Sequence, residues 1–82
     1  MEKRLCDVSP GERVKIKRLY SGEQIRRRLL DIGLVEGTAV ECIGRSPGGD
    51  PSAYLIRGAV IAIRREDSRD IAVDRGAEGV WD

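Results

Sequence analysis

Apolar residues along this chain recur with two different periods, and the switches between them mark its elements. Arg13-Val14-Lys15-Ile16-Lys17 alternates strictly, with its β-branched residues on one face, and predicts a half-buried strand whose outer face is cationic. From Tyr20 to Leu34 the spacing is helical: Ile25, Leu29 and Ile32 fall on one stripe, with Leu30 to its side. Ser21 followed by Gln24 predicts a capping box, and Tyr20 with Ile25 a hydrophobic staple around it. Glu23 precedes Arg27 by four residues, the better order for a helical ion pair. Gly33 stands where a left-handed residue ends a helix, with Leu34 folding back on Leu29. Together these signals predict a three-turn helix docked on an apolar surface.

Strand patterns fill most of the remainder. The apolar stretch Leu5 to Val8 is closed by the turn Ser9-Pro10-Gly11. Thr38 to Ile43 is β-rich and ends at Gly44. The wide turn Ser46-Pro47-Gly48-Gly49-Asp50-Pro51 can continue neither neighbour. Ala53 to Ile56 and Ala59 to Ile63 predict a hairpin turning at Arg57-Gly58, where Gly58 supplies a positive φ. In its second strand Ala59, Ile61 and Ile63 share the inward face. Arg64 to Asp70 predicts a single helical turn, Ile71-Ala72-Val73 a last strand, and Arg75 to Asp82 a mobile tail after a domain spanning residues 1–74. The fold class that follows is mainly β, a small, partly open barrel of five or six short strands capped by one inserted helix. The count depends on whether Leu5 to Val8 pairs.

Composition then removes whole classes of function. Eighty-two residues make one small domain and leave no room for a catalytic lobe. The 15 Lys and Arg nearly cancel the 14 Asp and Glu, leaving +1, without the basic excess of a dedicated nucleic-acid binder. The absence of histidine argues against a zinc hydrolase, a haem protein or a serine–histidine pair. No apolar run reaches the roughly 18 residues that span a membrane, and the start MEKRLCDV is no signal peptide. The expectation is a cytoplasmic chain with reduced thiols at Cys6 and Cys42, since small disulfide scaffolds carry more cysteines.

Candidate chemistry is sparse. Asp50 is the one carboxylate in an ordered-looking loop, and its expected role is to bond the backbone of that turn. Cys42 reads as a small core residue, and Cys6 has no histidine to activate it. Gly44, Gly48 and Gly49 make no phosphate loop, because no Gly-Lys-Ser/Thr follows. No catalytic residue, metal site or cofactor is predicted. Arg26-Arg27-Arg28 is the feature that favours nucleic acid, but on a helix these side chains diverge by about 100° each and form no stripe. Tyr20, Tyr54 and Trp81 are the only aromatic residues available for stacking. What remains is a binding module that presents a helix and a proline-rich turn to another protein.

Four stretches carry a resemblance that extends over residues 5 to 74. They are Leu5-x-x-Val8-x-Pro10-Gly11, Arg28-Leu29-Leu30-Asp31-Ile32-Gly33-Leu34-x-x-Gly37, Pro47-x-Gly49-Asp50-Pro51 and Ile61-Ala62-Ile63-Arg64-Arg65-Glu66-Asp67. In order and spacing they resemble the FeoA family. The resemblance implies an SH3-like barrel with an inserted helix and a small cytoplasmic accessory protein of bacterial ferrous iron uptake. It implies direct contact with FeoB, a membrane permease bearing a cytoplasmic GTP-binding domain, and neither catalysis nor an obligatory metal. Carried over by position, the contact surface is the helix and its exit, Arg26, Arg28, Leu29, Leu30, Gly33 and Leu34, with the turn Pro47, Gly49, Asp50 and Pro51 beside it. Leu29 also belongs to the core stripe. Gly48 stands where family members usually carry a large apolar residue, and Glu36 where they carry proline. The same barrel occurs as a C-terminal domain of metal-dependent repressors. With no helix-turn-helix segment ahead of it here, a free-standing role is expected, and a repressor-type or nucleic-acid-binding barrel is the alternative.

Overall fold

The alternating segments pair into one antiparallel sheet in the computed structural model, which describes residues 2–74. Its strands are β1 (Lys3–Arg4), β2 (Arg13–Leu19), β3 (Ala39–Arg45), β4 (Ser52–Ile56), β5 (Ala59–Ile63) and β6 (Ile71–Asp74), in the spatial order β1-β6-β2-β3-β4-β5. β1 and β5 are the two edges, so the SH3-like barrel is open. The register slips between Ile16 and Arg18 on β2 and between Cys42 and Gly44 on β3. Such bulges bend and twist a strand, which lets a short sheet wrap a core. The tail from Arg75, including Trp81, lies outside the described residues.

The inward residues are those the alternation selects. Val14 and Ile16 of β2, Val40 and Cys42 of β3, and Tyr54 and Ile56 of β4 are buried, and Ile71 and Val73 join them from β6. Each stabilises by about 1.5–3 kcal/mol before chain entropy is set against it. β5 follows only in part: Ile63 is buried, Ile61 half-buried and Ala59 exposed at the hairpin tip. That tip carries positive φ at both Arg57 (50°) and Gly58 (83°), the geometry of a type I′ turn.

Leu5 to Val8 does not pair as a strand. Lys3–Arg4 supplies the sixth strand, on β6, and Leu5–Asp7 forms a 3₁₀ turn. In that turn residues three apart eclipse, so Leu5 and Val8 both plunge into the core and are fully buried. Side chains of the sheet hold the turn from beneath. The Tyr54 hydroxyl donates to the Leu5 carbonyl (3.3 Å), and the Arg45 guanidinium to the Val8 carbonyl (3.0 Å).

Helix α1 (Glu23–Asp31) is shorter than its sequence signals and starts one residue late. Gly22, not Ser21, is its N-cap, and no side chain caps it. The Ser21 hydroxyl is buried without a hydrogen-bond partner, so the expected capping box is absent. Tyr20 is exposed and engaged elsewhere, and the Glu23–Arg27 ion pair does not form among the described residues. An unpaired buried hydroxyl costs about 1–3 kcal/mol. Ser21→Ala should therefore leave the melting temperature unchanged or raise it, whereas a fall of about 5 °C would show that the hydroxyl does cap the helix.

The other end matches its signals. Gly33 adopts φ 98°, its N–H bonds the Leu30 carbonyl (3.0 Å), and the Leu34 N–H bonds the Leu29 carbonyl (2.9 Å). This is a Schellman motif, and it drives Leu34 into the core beside Leu29. A Cβ on Gly33 would stand 2.8 Å from Cδ of Arg57, so glycine is required twice here, by φ and by the approach of the hairpin tip. Thr38 Oγ1 donates to the Gly33 carbonyl (3.0 Å) and fastens the helix exit to β3.

Candidate functional site

The expected contact residues separate into three groups. Leu29 and Leu34 are buried and anchor α1 from within. Arg26, Arg28 and Leu30 stand exposed on its outer surface, Leu30 at 39%. Pro47 and Asp50 are exposed and Pro51 half-buried, and Asp50 lies beside the short helix α2 (Arg65–Ser68) and Cys6 of the 3₁₀ turn. Asp50 Oδ1 accepts the Arg65 N–H at 2.8 Å, at the first residue of α2. The sequence had the chemistry right, a carboxylate on backbone N–H, but the N–H is fifteen residues away instead of in the turn. Asp50 pins α2 to the β3–β4 loop. Asp50→Ala should lower stability by about 1 kcal/mol, roughly 4–8 °C, and speed hydrogen exchange at the Arg65 amide. Unchanged values of both would contradict this anchor.

Arg26, Arg27 and Arg28 are exposed and form no ion pair among the described residues, so α1 carries three free cations pointing in different directions. Beneath it runs a groove of about 310 Å³ that sequence reasoning missed. Ile25, Leu29 and Ile32 line one wall; Ile61, Ala62 and Ile63 of β5 line the other. Arg28, Arg64 and Asp67 stand at its polar margin. The alternation Ala59-Ile61-Ile63 marked an inward face but could not say that a helix would stand off from part of it.

Burial sets the character of the two thiols. The Cys6 thiol is pushed up by burial and by the neighbouring Asp7 carboxylate, the opposite of an activated nucleophile. Burial pushes Cys42 up as well, and both cysteines are free. Among the described residues, no three histidine, cysteine, aspartate or glutamate side chains gather closely enough to hold a metal ion. No helix there is long and apolar enough to cross a membrane. Tyr20 carries the Arg4 guanidinium 4.6 Å from its ring centroid and that of Arg18 at 5.9 Å. Its hydroxyl donates to Glu2 Oε1 (2.9 Å) and, with Lys17 and Arg4, holds that carboxyl below its ordinary value. With Tyr54 fully buried, neither described tyrosine offers a free ring for base stacking.

Comparison with known proteins fits this geometry. The family model described as the FeoA domain matches residues 3–75. A protein of Porphyromonas gingivalis, an Fe(2+) transport protein A/Fe(2+) transporter FeoB fusion protein, is 31% identical over 71 residues, 87% of this chain but 8% of that protein. Among solved structures, the FeoA protein of Chlorobium tepidum superposes with a TM-score of 0.86 at 29% identity, over 92% of this chain and 71% of that one. A FeoA-like protein of Clostridium acetobutylicum gives 0.80 at 32% identity, over 92% of this chain and 90% of that one.

Proposed function

Because the chain belongs to the FeoA family, we propose that it is an accessory protein of bacterial ferrous iron uptake that docks on a FeoB-type membrane permease. The fusion relative carries this reading: in it a segment similar to this chain and a FeoB transporter are parts of one polypeptide. Covalent linkage makes contact intramolecular, at effective concentrations in the millimolar range. A separate chain must reach the same contact by affinity, which calls for an exposed, chemically distinct surface. The exposed surface of α1 meets that need: Arg26 and Leu30 share its outward side, Arg28 stands at the groove margin, and neither arginine is ion-paired among the described residues.

On this reading the chain works in the cytoplasm, recruited to the inner face of the membrane by the cytoplasmic GTP-binding domain of the permease. It acts by contact and not by catalysis, in keeping with thiols held protonated and an Asp50 carboxylate already committed to α2. Co-purification tests the proposal: the immobilised cytoplasmic domain of the permease should retain the chain at low salt. Passage without retention would overturn it. A DNA or RNA gel shift that fades steeply with added salt would favour the nucleic-acid reading in its place.

A further inference from the structure

We infer that the free edge of β5, together with the groove under α1, binds one extended segment of a partner protein as an added strand, apolar on its groove-facing side and acidic beside it. This deepens the permease-docking reading and rests on it.

The hairpin decides which backbone groups of β5 face outward. A two-residue turn makes Ile56 and Ala59 a hydrogen-bonded pair, so in the register that follows Ile61 and Ile63 also bond back to β4. Val60 and Ala62 then turn their N–H and C=O groups outward, away from β4. β5 ends the sheet, and neither residue has another partner among the described residues. Edge strands are normally protected by lysine, proline or a bulge. Ala59-Val60-Ile61-Ala62-Ile63 has none of these, and its register with β4 is unbroken. Val60 is 63% exposed.

Next to this edge lies the apolar groove. A strand added to β5 would point alternate side chains into it, against Ile25, Leu29 and Ile32. Charge selects the occupant. Arg28 and Arg64 outnumber Asp67 at the groove margin, and Arg57 stands at the hairpin end of the edge. These favour a segment with acidic residues beside its apolar ones. They also disfavour a second copy of this chain, which would bring its own Arg57 and Arg64 up to the same cationic edge.

Amide hydrogen exchange decides the matter, with two probes: the purified cytoplasmic domain of the permease, and a synthetic peptide of alternating valine and threonine flanked by glutamates. In the chain alone the Val60 and Ala62 amides should exchange rapidly. With either probe bound, both should slow by at least tenfold. Ala62→Pro removes an outward N–H without touching a bond to β4, and should weaken binding tenfold or more at an unchanged melting temperature. Retention of the permease domain with both amides still fast would overturn the added strand and leave permease docking standing. Protection by the peptide without retention of the domain would support the edge and overturn permease docking. Failure of both probes to bind would overturn both. Protection of the two amides in the chain alone would mean that the edge is already filled, by a second copy if it depends on concentration and otherwise by residues 75–82. That result would overturn the inference.

Discussion

Tyr54→Ala should lower the stability of the domain by about 3–5 kcal/mol, the range for removing a large buried aromatic side chain. For a domain of this length, with a total stability of about 4–12 kcal/mol, that is enough to leave much of the chain unfolded at 37 °C. Tyr54 is fully buried at the centre of β4, and its hydroxyl reaches the Leu5 carbonyl, joining the sheet to the N-terminal turn. Tyr54→Phe separates the two contributions. It keeps the ring and loses one hydrogen bond, so a loss of about 1 kcal/mol is expected. Chemical denaturation of the three proteins measures both steps, and a loss under 1 kcal/mol for the alanine variant would contradict the packing described.

The same residue gives the domain an alkaline limit. Burial raises the Tyr54 phenol above its ordinary value of 10.0. The folded chain therefore favours the neutral form, and the unfolded chain ionises first as pH rises. This contribution is complete below about pH 10 and is lost as pH climbs through the folded value. Cys42, also raised by burial from an ordinary 9.0, opens the same kind of loss about one pH unit lower. Stability should thus decline above about pH 9, and Tyr54→Phe should flatten the steeper part above pH 10.

The second large effect is on partner binding. Arg28→Glu and Leu30→Asp should each weaken permease binding by tenfold or more, the scale of a residue central to an interface. Both side chains are exposed and hold nothing in the core, so neither change should move the melting temperature by more than a few degrees. On the proposed docking the part of Arg28 is electrostatic, and binding by the unaltered chain should therefore weaken as salt is added. Leu30→Asp should weaken binding at any salt. A loss of binding that tracked a loss of fold would assign these residues to stability instead.

Two features written in neighbouring residues were legible in the sequence. The end of α1 was, because a glycine in the left-handed region followed by leucine admits few alternatives, and Gly33 and Leu34 take those places. The β4–β5 hairpin was legible through Gly58, although Arg57 shares the positive φ. What depended on distant partners was not. Leu5 to Val8 reads equally as strand or turn, and the decision comes in part from a hydroxyl 49 residues away. One local signal misled as well: Ser21 with Gln24 spells a capping box, but Gly22 is the N-cap and the serine hydroxyl is buried without a partner. The groove joins α1 to Arg64 and Asp67, more than thirty residues on, and no local period encodes that meeting.

The most direct test of the account is a binding titration between the purified chain and the full-length FeoB-type permease in lipid nanodiscs, read at low and at physiological salt. Saturable binding is expected that weakens with salt and falls at least tenfold with Arg28→Glu and with Leu30→Asp, while both variants remain folded. Absence of saturable binding at low salt, or equal affinity for the unaltered chain and both variants, would contradict it.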